Sequence, residues 1–288
     1  MSPAQRLREI LAEPGLHVMP CCFDGLSAKL IADAGTKVSF MSGFAVSGAR
    51  LGLPDTGLIS MAEMVDTLRN CCAAAPNMPI IGDGDTGYGN ALNVQRTVAE
   101  YARAGAAAIM IEDQVSPKKC GHTKGKQVIP RDEARLKIRA AVEAARKADI
   151  LVLARTDARA VHGFDEALAR CQDFVAEGAD MIFLEAPENV DEMRRFCGTI
   201  KKPCMANMVF QGKTPILPPA ELEQIGFKLA AYPVVLLSAA ISAMRQAIAV
   251  LQPNSNVAQP PQVTFDELKS IVGFPDYYAR EERYLAAE

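Results

Sequence analysis

The chain has 288 residues, 49% of them apolar, no Trp, and a formal net charge of −3 at pH 7 with a pI near 5.8. That balance excludes the basic footprint of a nucleic-acid binder or of a protein held on an anionic membrane. Length leaves open one large α/β domain or two ordinary ones, either with ample core.

The first element expected is a helix within "MSPAQRLREILAEPG", a polar N-terminus without the apolar run and cleavage site of a secretory signal. Short apolar runs then recur: "LHVMP" (16–20), "VSFMS" (38–42), "PIIGD" (79–83), "AIMIE" (108–112), "ILVLAR" (150–155), "MIFLE" (181–185), "PCMAN" (203–207) and "KLAAYP" (228–233). Most are continuously apolar, as parallel strands buried on both faces require. Helical patterns such as "ALNVQRTVAEYARAGA" and "RDEARLKIRAAVEAARKA" lie between them. AG or EG pairs at 34–35, 104–105 and 177–178 read as glycines that end helices. Eight strand–helix repeats in about 250 residues predict a (β/α)₈ TIM barrel, with a doubly wound sheet as the competitor.

The barrel is assigned to residues 1–251. Its last apolar stretch, "VVLLSAAISAMRQAIAVL", carries Arg245 and Gln246 and falls short of the ~18 uninterrupted apolar residues of a membrane span, so it reads as a buried helix. Residues 252–288 begin with a Pro/Asn/Gln-rich linker, "QPNSNVAQPPQV", and continue into two short helical segments that would pack on the barrel or on a neighbouring subunit. Eight cysteines without a C-x-x-C pair argue against a disulfide framework or a structural zinc site. Most read as small core hydrophobes of a reducing, cytoplasmic protein, and Cys120 is the exception.

Chemistry in such barrels sits at the C-terminal ends of the strands. Those ends carry Ser42, Asp83 with Asp85, Glu112, Arg155 with Asp157, Glu185 and Asn207. In "IGDGDTGYGN" (81–90), Gly82, Gly84 and Gly87 satisfy the dinucleotide pattern G-x-G-x-x-G. Two carboxylates in the same turn would repel a pyrophosphate, and the run comes third in strand order, so that reading is rejected. As ligands, Asp83, Asp85 and Glu112, with Asp55 from "GLPDTG", are hard oxygen donors suited to Mg²⁺ completed by water and substrate oxygens. The alternative is that these acids cap helices or pair with Arg155.

The loop "EDQVSPKKCGH" (112–122) brings Lys118, Lys119, Cys120 and His122 together. Adjacent cations favour a thiolate, which suits Cys120 to proton transfer; a nucleophile and a plain surface cysteine are the alternatives. Arg155 can clamp a carboxylate bidentately, while Glu185 and Asn207 can hydrogen-bond a substrate or metal-bound waters. These parts suit a small polyanionic acid on Mg²⁺ that reacts at its α-carbon through an enolate.

The segments "GDGDTGYGNALNVQRTV", "IEDQVSPKKCGH", "LVLARTDARAVHG" and "ADMIFLEAPENVDE" resemble, in order and spacing, the isocitrate lyase/phosphoenolpyruvate mutase superfamily. "KKCGH" is specific for its lyase branch, and the likeness, from about residue 5 to 250, looks nearest to methylisocitrate and 2-alkylmalate (2,3-dimethylmalate) lyases. The resemblance implies a barrel whose eighth helix, within 235–250, is swapped between subunits in a dimer of dimers. It implies Mg²⁺, with Mn²⁺ as a substitute, at Asp83 and Asp85, with Asp85 preferred as direct ligand and Asp55 and Glu112 in the water shell. It gives Ser42, Gly43 and Phe44 the 2-oxo carboxylate, Arg155 the substrate clamp, and Glu185 and Asn207 polar contacts. Residues 116–125 resemble a gating loop, with Cys120 the general acid/base and Gly121 and His122 on the second carboxylate of a di- or tricarboxylate.

The implied reaction is a retro-aldol cleavage in which Cys120 protonates the carbanion, giving a 2-oxo acid plus succinate or an alkylated succinate. Three departures bear on the substrate. Phe210 stands where many lyases have Glu, and Ser238 where isocitrate and methylisocitrate lyases carry Arg. Pro233 stands where oxaloacetate hydrolases place Ser. Apolar contacts around Phe44, Phe210, Pro233 and Leu236 would then select the substituents. The competing readings are an oxaloacetate decarboxylase or hydrolase, or a phosphonate-type mutase, on the same scaffold, and a barrel that binds a 2-oxo acid without catalysis.

Overall fold

A computed structural model describes residues 1–121, 125–253 and 255–285. Eight strands close a parallel barrel in chain order: β1 (His17–Cys22), β2 (Ser39–Met41), β3 (Ile80–Asp83), β4 (Ala108–Glu112), β5 (Leu151–Thr156), β6 (Met181–Leu184), β7 (Cys204–Asn207) and β8 (Leu229–Tyr232). Closure is made by β8 against β1, with Leu229 opposite His17. The (β/α)₈ fold is therefore as the sequence predicts.

The two-residue period of a strand sorts each one into two cores. Phe40, Ile81, Met110, Leu153, Phe183, Met205 and Ala231 point into the barrel and pack with one another. Their neighbours Met41, Ile80, Ile109, Ile111, Val152, Ala154, Ile182, Leu184, Ala206 and Ala230 face the surrounding helices. A step of two from each inward residue reaches Ser42, Asp83, Glu112, Arg155, Glu185, Asn207 and Pro233. The pleat that fills the barrel with apolar side chains thus places these seven residues in its uppermost layer.

The opposite end is filled by the helix Pro3–Ala12, whose Ala4, Leu7 and Ile10 join the inner cluster. Ser2 caps that helix and Gln5 returns the bond, a reciprocal cap that contributes about 1 kcal/mol.

The chain divides into two compact units, Met1–Leu237 and Ser238–Glu288. The division falls inside the helix Val235–Val250, which was expected to be buried. It is not: Leu237 is its one buried residue, and Ile241, Met244 and Ile248 are exposed. The second unit also carries the helices Phe265–Val272 and Phe274–Leu285, the first capped reciprocally by Thr264 and Glu267. Among the described residues no helix is long and apolar enough to cross a membrane.

Candidate active site

A cavity of about 240 Å³ opens at the C-terminal ends of the strands. Its polar lining is Ser42, Asp55, Asp83, Lys118, Cys120, Gly121, Arg155, Glu185 and Asn207, so side chains from separate loops and strand ends meet at one mouth. The apolar lining includes Phe40, Phe44, Phe183, Val209, Pro233 and Val234.

One side of the mouth is acidic. The backbone of the 81–90 loop makes this geometry: the Gly84 N–H donates to the Met110 carbonyl at 2.9 Å, and a Cβ at Gly84 would lie only 2.5 Å from that oxygen. The helix Ala91–Arg103 begins later, and the Asn90 side chain already accepts from the N–H groups of Leu92 and Asn93. The glycines therefore serve close packing onto β4, and the helix N-terminus is capped by the protein itself. Asp83 accepts from the N–H of Gly43 and from that of Asp85, both at 3.1 Å. Tyr88 donates its hydroxyl to Asp85 Oδ2 at 3.2 Å, and Tyr101 donates to the Asp83 carbonyl at 2.6 Å.

Burial, reinforced by the neighbouring Asp85, pushes the Asp83 carboxyl up to about 6. Burial also lifts Glu112 well above the usual carboxylate range, with Arg155 opposing and Asp157 reinforcing. Lys118 answers this charge: its Nζ lies 2.6 Å from Asp55 Oδ1 and 2.7 Å from Asp85 Oδ1. Burial alone would lower the ammonium's pKa, but the carboxylates, Asp85 foremost, raise it well above the ordinary value. The sequence placed this lysine beside the Cys120 thiol; in the structure it pairs with the acids.

The other side is organised by Arg155. Its Nε and Nη2 donate to Asp157 Oδ2 and Oδ1 at 2.8 and 3.1 Å, and Nη2 is 3.4 Å from Glu185 Oε2. Nε is also 3.2 Å from Glu112 Oε2, but its hydrogen is directed to Asp157, so this is a charge contact without a hydrogen bond. The guanidinium carbon sits 5.1 Å from the centre of the Phe183 ring. Asn207 Nδ2 approaches both Glu185 oxygens, at 3.3 and 3.4 Å. Beneath this layer Asp113 accepts from the Thr156 hydroxyl, the Asp157 N–H and Arg170 Nη1 at 2.6, 2.8 and 3.0 Å. Asp157 is thereby held from both sides.

The residues singled out from the sequence fall into three groups. Ser42, Phe44, Asp55, Asp83, Cys120, Gly121, Arg155, Glu185, Asn207 and Pro233 line the cavity. Gly43, Asp85 and Glu112 stand just behind that lining, tied to it through Asp83, Lys118 and Arg155. Phe210 is 77% exposed and outside it, carried outward by a turn in which Gly212 N–H donates to the Val209 carbonyl. Leu236 packs against the outer core instead. His122 lies outside the described residues. Val209, Val234 and Lys126 were missed; the first two are ordinary apolar letters beside the expected site, and Lys126 is one cation among many in a loop.

The acidic side fits a hard divalent cation. Both Glu112 carboxylate oxygens are buried without a hydrogen-bond donor, Asp55 Oδ1 and Asp85 Oδ1 meet only the Lys118 ammonium, and the donor set is oxygen alone. Among the described residues no three His, Cys, Asp or Glu side chains converge as direct ligands. That spacing suits Mg²⁺, which keeps several waters and takes few carboxylates directly.

The fold and the mouth define an enzyme of the (β/α)₈ class, and residues 7–252 match the family Phosphoenolpyruvate phosphomutase. The chain is 42% identical over 284 residues to carboxyvinyl-carboxyphosphonate phosphorylmutase, chloroplastic, of Arabidopsis thaliana, covering 97% of this chain and 84% of the relative. It is 41% identical over 286 residues to 2,3-dimethylmalate lyase of Eubacterium barkeri, covering 99% of each. Among solved structures, oxaloacetate acetylhydrolase with 3,3-difluorooxalacetate superposes with a TM-score of 0.94 at 32% identity, covering 98% of this chain and 97% of that one. Phosphonopyruvate hydrolase with oxalate and Mg²⁺ superposes at 0.84 and 29% identity, covering 99% and 100%. The chain belongs to the PEP mutase/isocitrate lyase superfamily.

Proposed function

We propose that this enzyme is a Mg²⁺-dependent carbon–carbon lyase that cleaves a 2-hydroxy dicarboxylate of the alkylmalate type. The observation that carries the reading is the entry of Cys120 and Gly121 into the same cavity as Arg155, Glu185, Asn207 and the acids Asp55 and Asp83. The likeness to 2,3-dimethylmalate lyase supports it.

When bound at Asp85 and Asp83, with Asp55 and Glu112 behind, the cation would supply Lewis-acid stabilisation of negative charge on the 2-oxygen and carboxylate. The protein's own groups do the rest. The Ser42–Phe44 turn and Arg155 hold the 2-hydroxy carboxylate end that becomes the 2-oxo acid, where a planar guanidinium fixes orientation as well as charge. The acidic side takes the hydroxyl proton, the C2–C3 bond breaks, and C2 leaves as the carbonyl of a 2-oxo acid. The electron pair stays on C3 beside its carboxylate, and the Cys120 thiol donates a proton there.

Atom balance corrects one expectation. A malate-type substrate releases a monocarboxylic acid at this step, and a succinate forms only from a tricarboxylate. A cavity of about 240 Å³ with Phe44, Val209, Pro233 and Val234 in its wall favours the smaller substrate with an apolar substituent. The exposed apolar side chains Ile241, Met244 and Ile248 support docking of the Val235–Val250 helix on another subunit, as helix exchange in a dimer of dimers requires. The segment 252–288 would then serve as a tail that packs on the barrel or on a neighbour.

A panel of alkylmalates, isocitrates and oxaloacetate, assayed for 2-oxo acid release with Mg²⁺, with Mn²⁺ and with chelator, tests the proposal. Metal-dependent turnover of alkylmalates is expected, and no turnover of any of them would overturn it. Oxaloacetate cleavage is the second reading, favoured by the superposition on oxaloacetate acetylhydrolase. Preference for oxaloacetate in the same panel would select it.

A further inference from the structure

Lys126 is a buried lysine that the proposed chemistry does not use. Its side chain is 1% exposed, and its Nζ donates to Asp157 Oδ1 and to the Gly121 carbonyl, both at 2.6 Å. Gly121 follows Cys120 directly, and its backbone is pressed against the catalytic layer: a Cβ there would lie 2.5 Å from Arg155 Nη2 and 2.8 Å from Glu185 Cδ. Cys120 is the adjacent residue in the chain, so any displacement of this carbonyl carries the thiol with it, and a misplacement of about 1 Å at a reacting group can cost about 100-fold in rate. The other end of the tie is rigid, because Asp157 also receives the Arg155 fork and donates its N–H to Asp113. Burial would raise the Asp157 carboxyl's pKa, but Arg155 and then Lys126 outweigh it and hold the group below the usual range. The anchor is therefore a carboxylate throughout the neutral range.

We propose that Lys126 is the positioning residue that holds the Cys120–Gly121 segment over the cavity, with the Asp157 carboxylate as its fixed anchor. One ammonium bridges the loop carrying the thiol and the carboxylate that orients the substrate-clamping arginine, so the acid/base group and the clamp share one reference point. Lys118 performs a different task, since its charge is taken up by Asp55 and Asp85. The inference rests on the reading of Cys120 as the proton donor, and its test is arranged so that the two can fail separately.

The comparison is wild type, Lys126→Met and Lys126→Arg. Removing the ammonium leaves Asp157 paired with Arg155, so the Met variant is not left with a stranded buried charge. Two experiments are made: steady-state kinetics for kcat and KM on the best substrate of the panel, and iodoacetamide labelling of Cys120 by peptide mass spectrometry with Mg²⁺ and oxalate bound. A displaced thiol loses about 100-fold in kcat with little change in KM, and Cys120 in the Met variant loses the protection it has in wild type. The Arg variant, which keeps the charge and more than one donor, is expected to recover both. A purely structural role would lower the melting temperature and leave labelling and kcat of the folded enzyme unchanged; that result overturns the assignment. So does an Arg variant no better than Met. If the Met variant does not fold, Lys126→Gln, which keeps one donor, carries the same comparison. Labelling needs no turnover, so an inactive wild type would overturn the lyase reading and leave the positioning role measurable.

Discussion

The Lys118 ammonium stands 2.7 Å from Asp85 Oδ1, inside a cluster of buried carboxylates that includes Asp55, Asp83 and Glu112. It is the cation that Asp55 and Asp85 share. Removing it should be costly, because breaking a buried pair strands the partner: roughly 3–5 kcal/mol for Lys118→Met. A divalent cation can take over that neutralising role. Denaturant unfolding of the Met variant should therefore show a large loss without metal and a substantial recovery in millimolar Mg²⁺. A loss that Mg²⁺ leaves untouched would count against a cation site at these aspartates.

Cys120 offers a sharper separation between binding and chemistry. It lines the cavity together with Asp55 and Asp83 of the acidic cluster. Cys120→Ala should lower kcat by about 10²–10⁴-fold, the range for removing a general acid. Mg²⁺ and oxalate affinity should stay within about twofold of wild type, since an apolar Ala leaves the ligand contacts intact. Calorimetry and steady-state rates on one preparation decide it. If the Ala variant turns over oxaloacetate at the wild-type rate, the decarboxylation reading replaces the lyase reading.

Most of this arrangement could be read from the sequence because two periods coincide. Continuous apolar runs such as "AIMIE" mark strands buried on both faces, and the letter two places beyond the last inward apolar residue is the one that meets the cavity. Ile81 leads to Asp83, Leu153 to Arg155, and Phe183 to Glu185 by that rule. What escaped has physical causes. Lys118 and Lys126 were indistinguishable from solvated loop cations until tertiary packing buried them against Asp85 and Asp157. Phe210 was expected at the substrate because it stands where related lyases carry Glu, but the turn at 209–212 directs it outward and leaves Val209 facing the cavity. The helix Val235–Val250 is apolar enough for a core, yet within one chain only Leu237 is buried.

Arg155 is shared among Asp157, Glu112 and Glu185, and that sharing depends on its planar fork. Arg155→Lys keeps the charge but cannot donate to both Asp157 oxygens and still reach Glu185. We expect kcat/KM to fall by about 10²-fold or more, on the order of 3 kcal/mol of transition-state stabilisation. The protein should remain folded, as judged by circular dichroism, because the three carboxylates keep a cation among them. Activity within threefold of wild type would show that the fork is not used on substrate.

The contrast between adjacent residues 209 and 210 gives a test of specificity. Val209→Ala should shift preference toward a longer alkyl group, by roughly 1–3 kcal/mol per methylene accommodated. Phe210→Ala, at an exposed side chain outside the cavity, should leave the order of preference unchanged. Competition between 2-methyl and 2-ethyl substrates, read as a product ratio, reports both. A reversal of these effects would place Phe210 over the substrate during turnover.

The acidic cluster should also make metal binding depend on pH, with a definite sign. Burial and the nearby Asp85 raise the Asp83 carboxyl to about 6, so in the metal-free protein it holds a proton where an ordinary aspartate does not. A cation requires the carboxylate, so proton and metal compete, and affinity for Mg²⁺ must rise with pH through that value. Lys118, held well above the ordinary range by the same carboxylates, stays protonated and contributes no dependence of its own. Below pH 6 the weakening approaches about one decade per pH unit for each proton displaced, equal to about 1.4 kcal/mol. Glu112, also raised, can steepen it. Calorimetric titrations with Mg²⁺ at pH 5.5 and 7.5, each in two buffers of different ionisation enthalpy, should show proton release at the lower pH and almost none at the higher. Asp83→Asn should bind more weakly and flatten the profile. Equal affinity at both values with no proton released would remove Asp83 from the metal's neighbourhood, because a buried carboxyl with a raised pKa cannot meet a cation without giving up its proton.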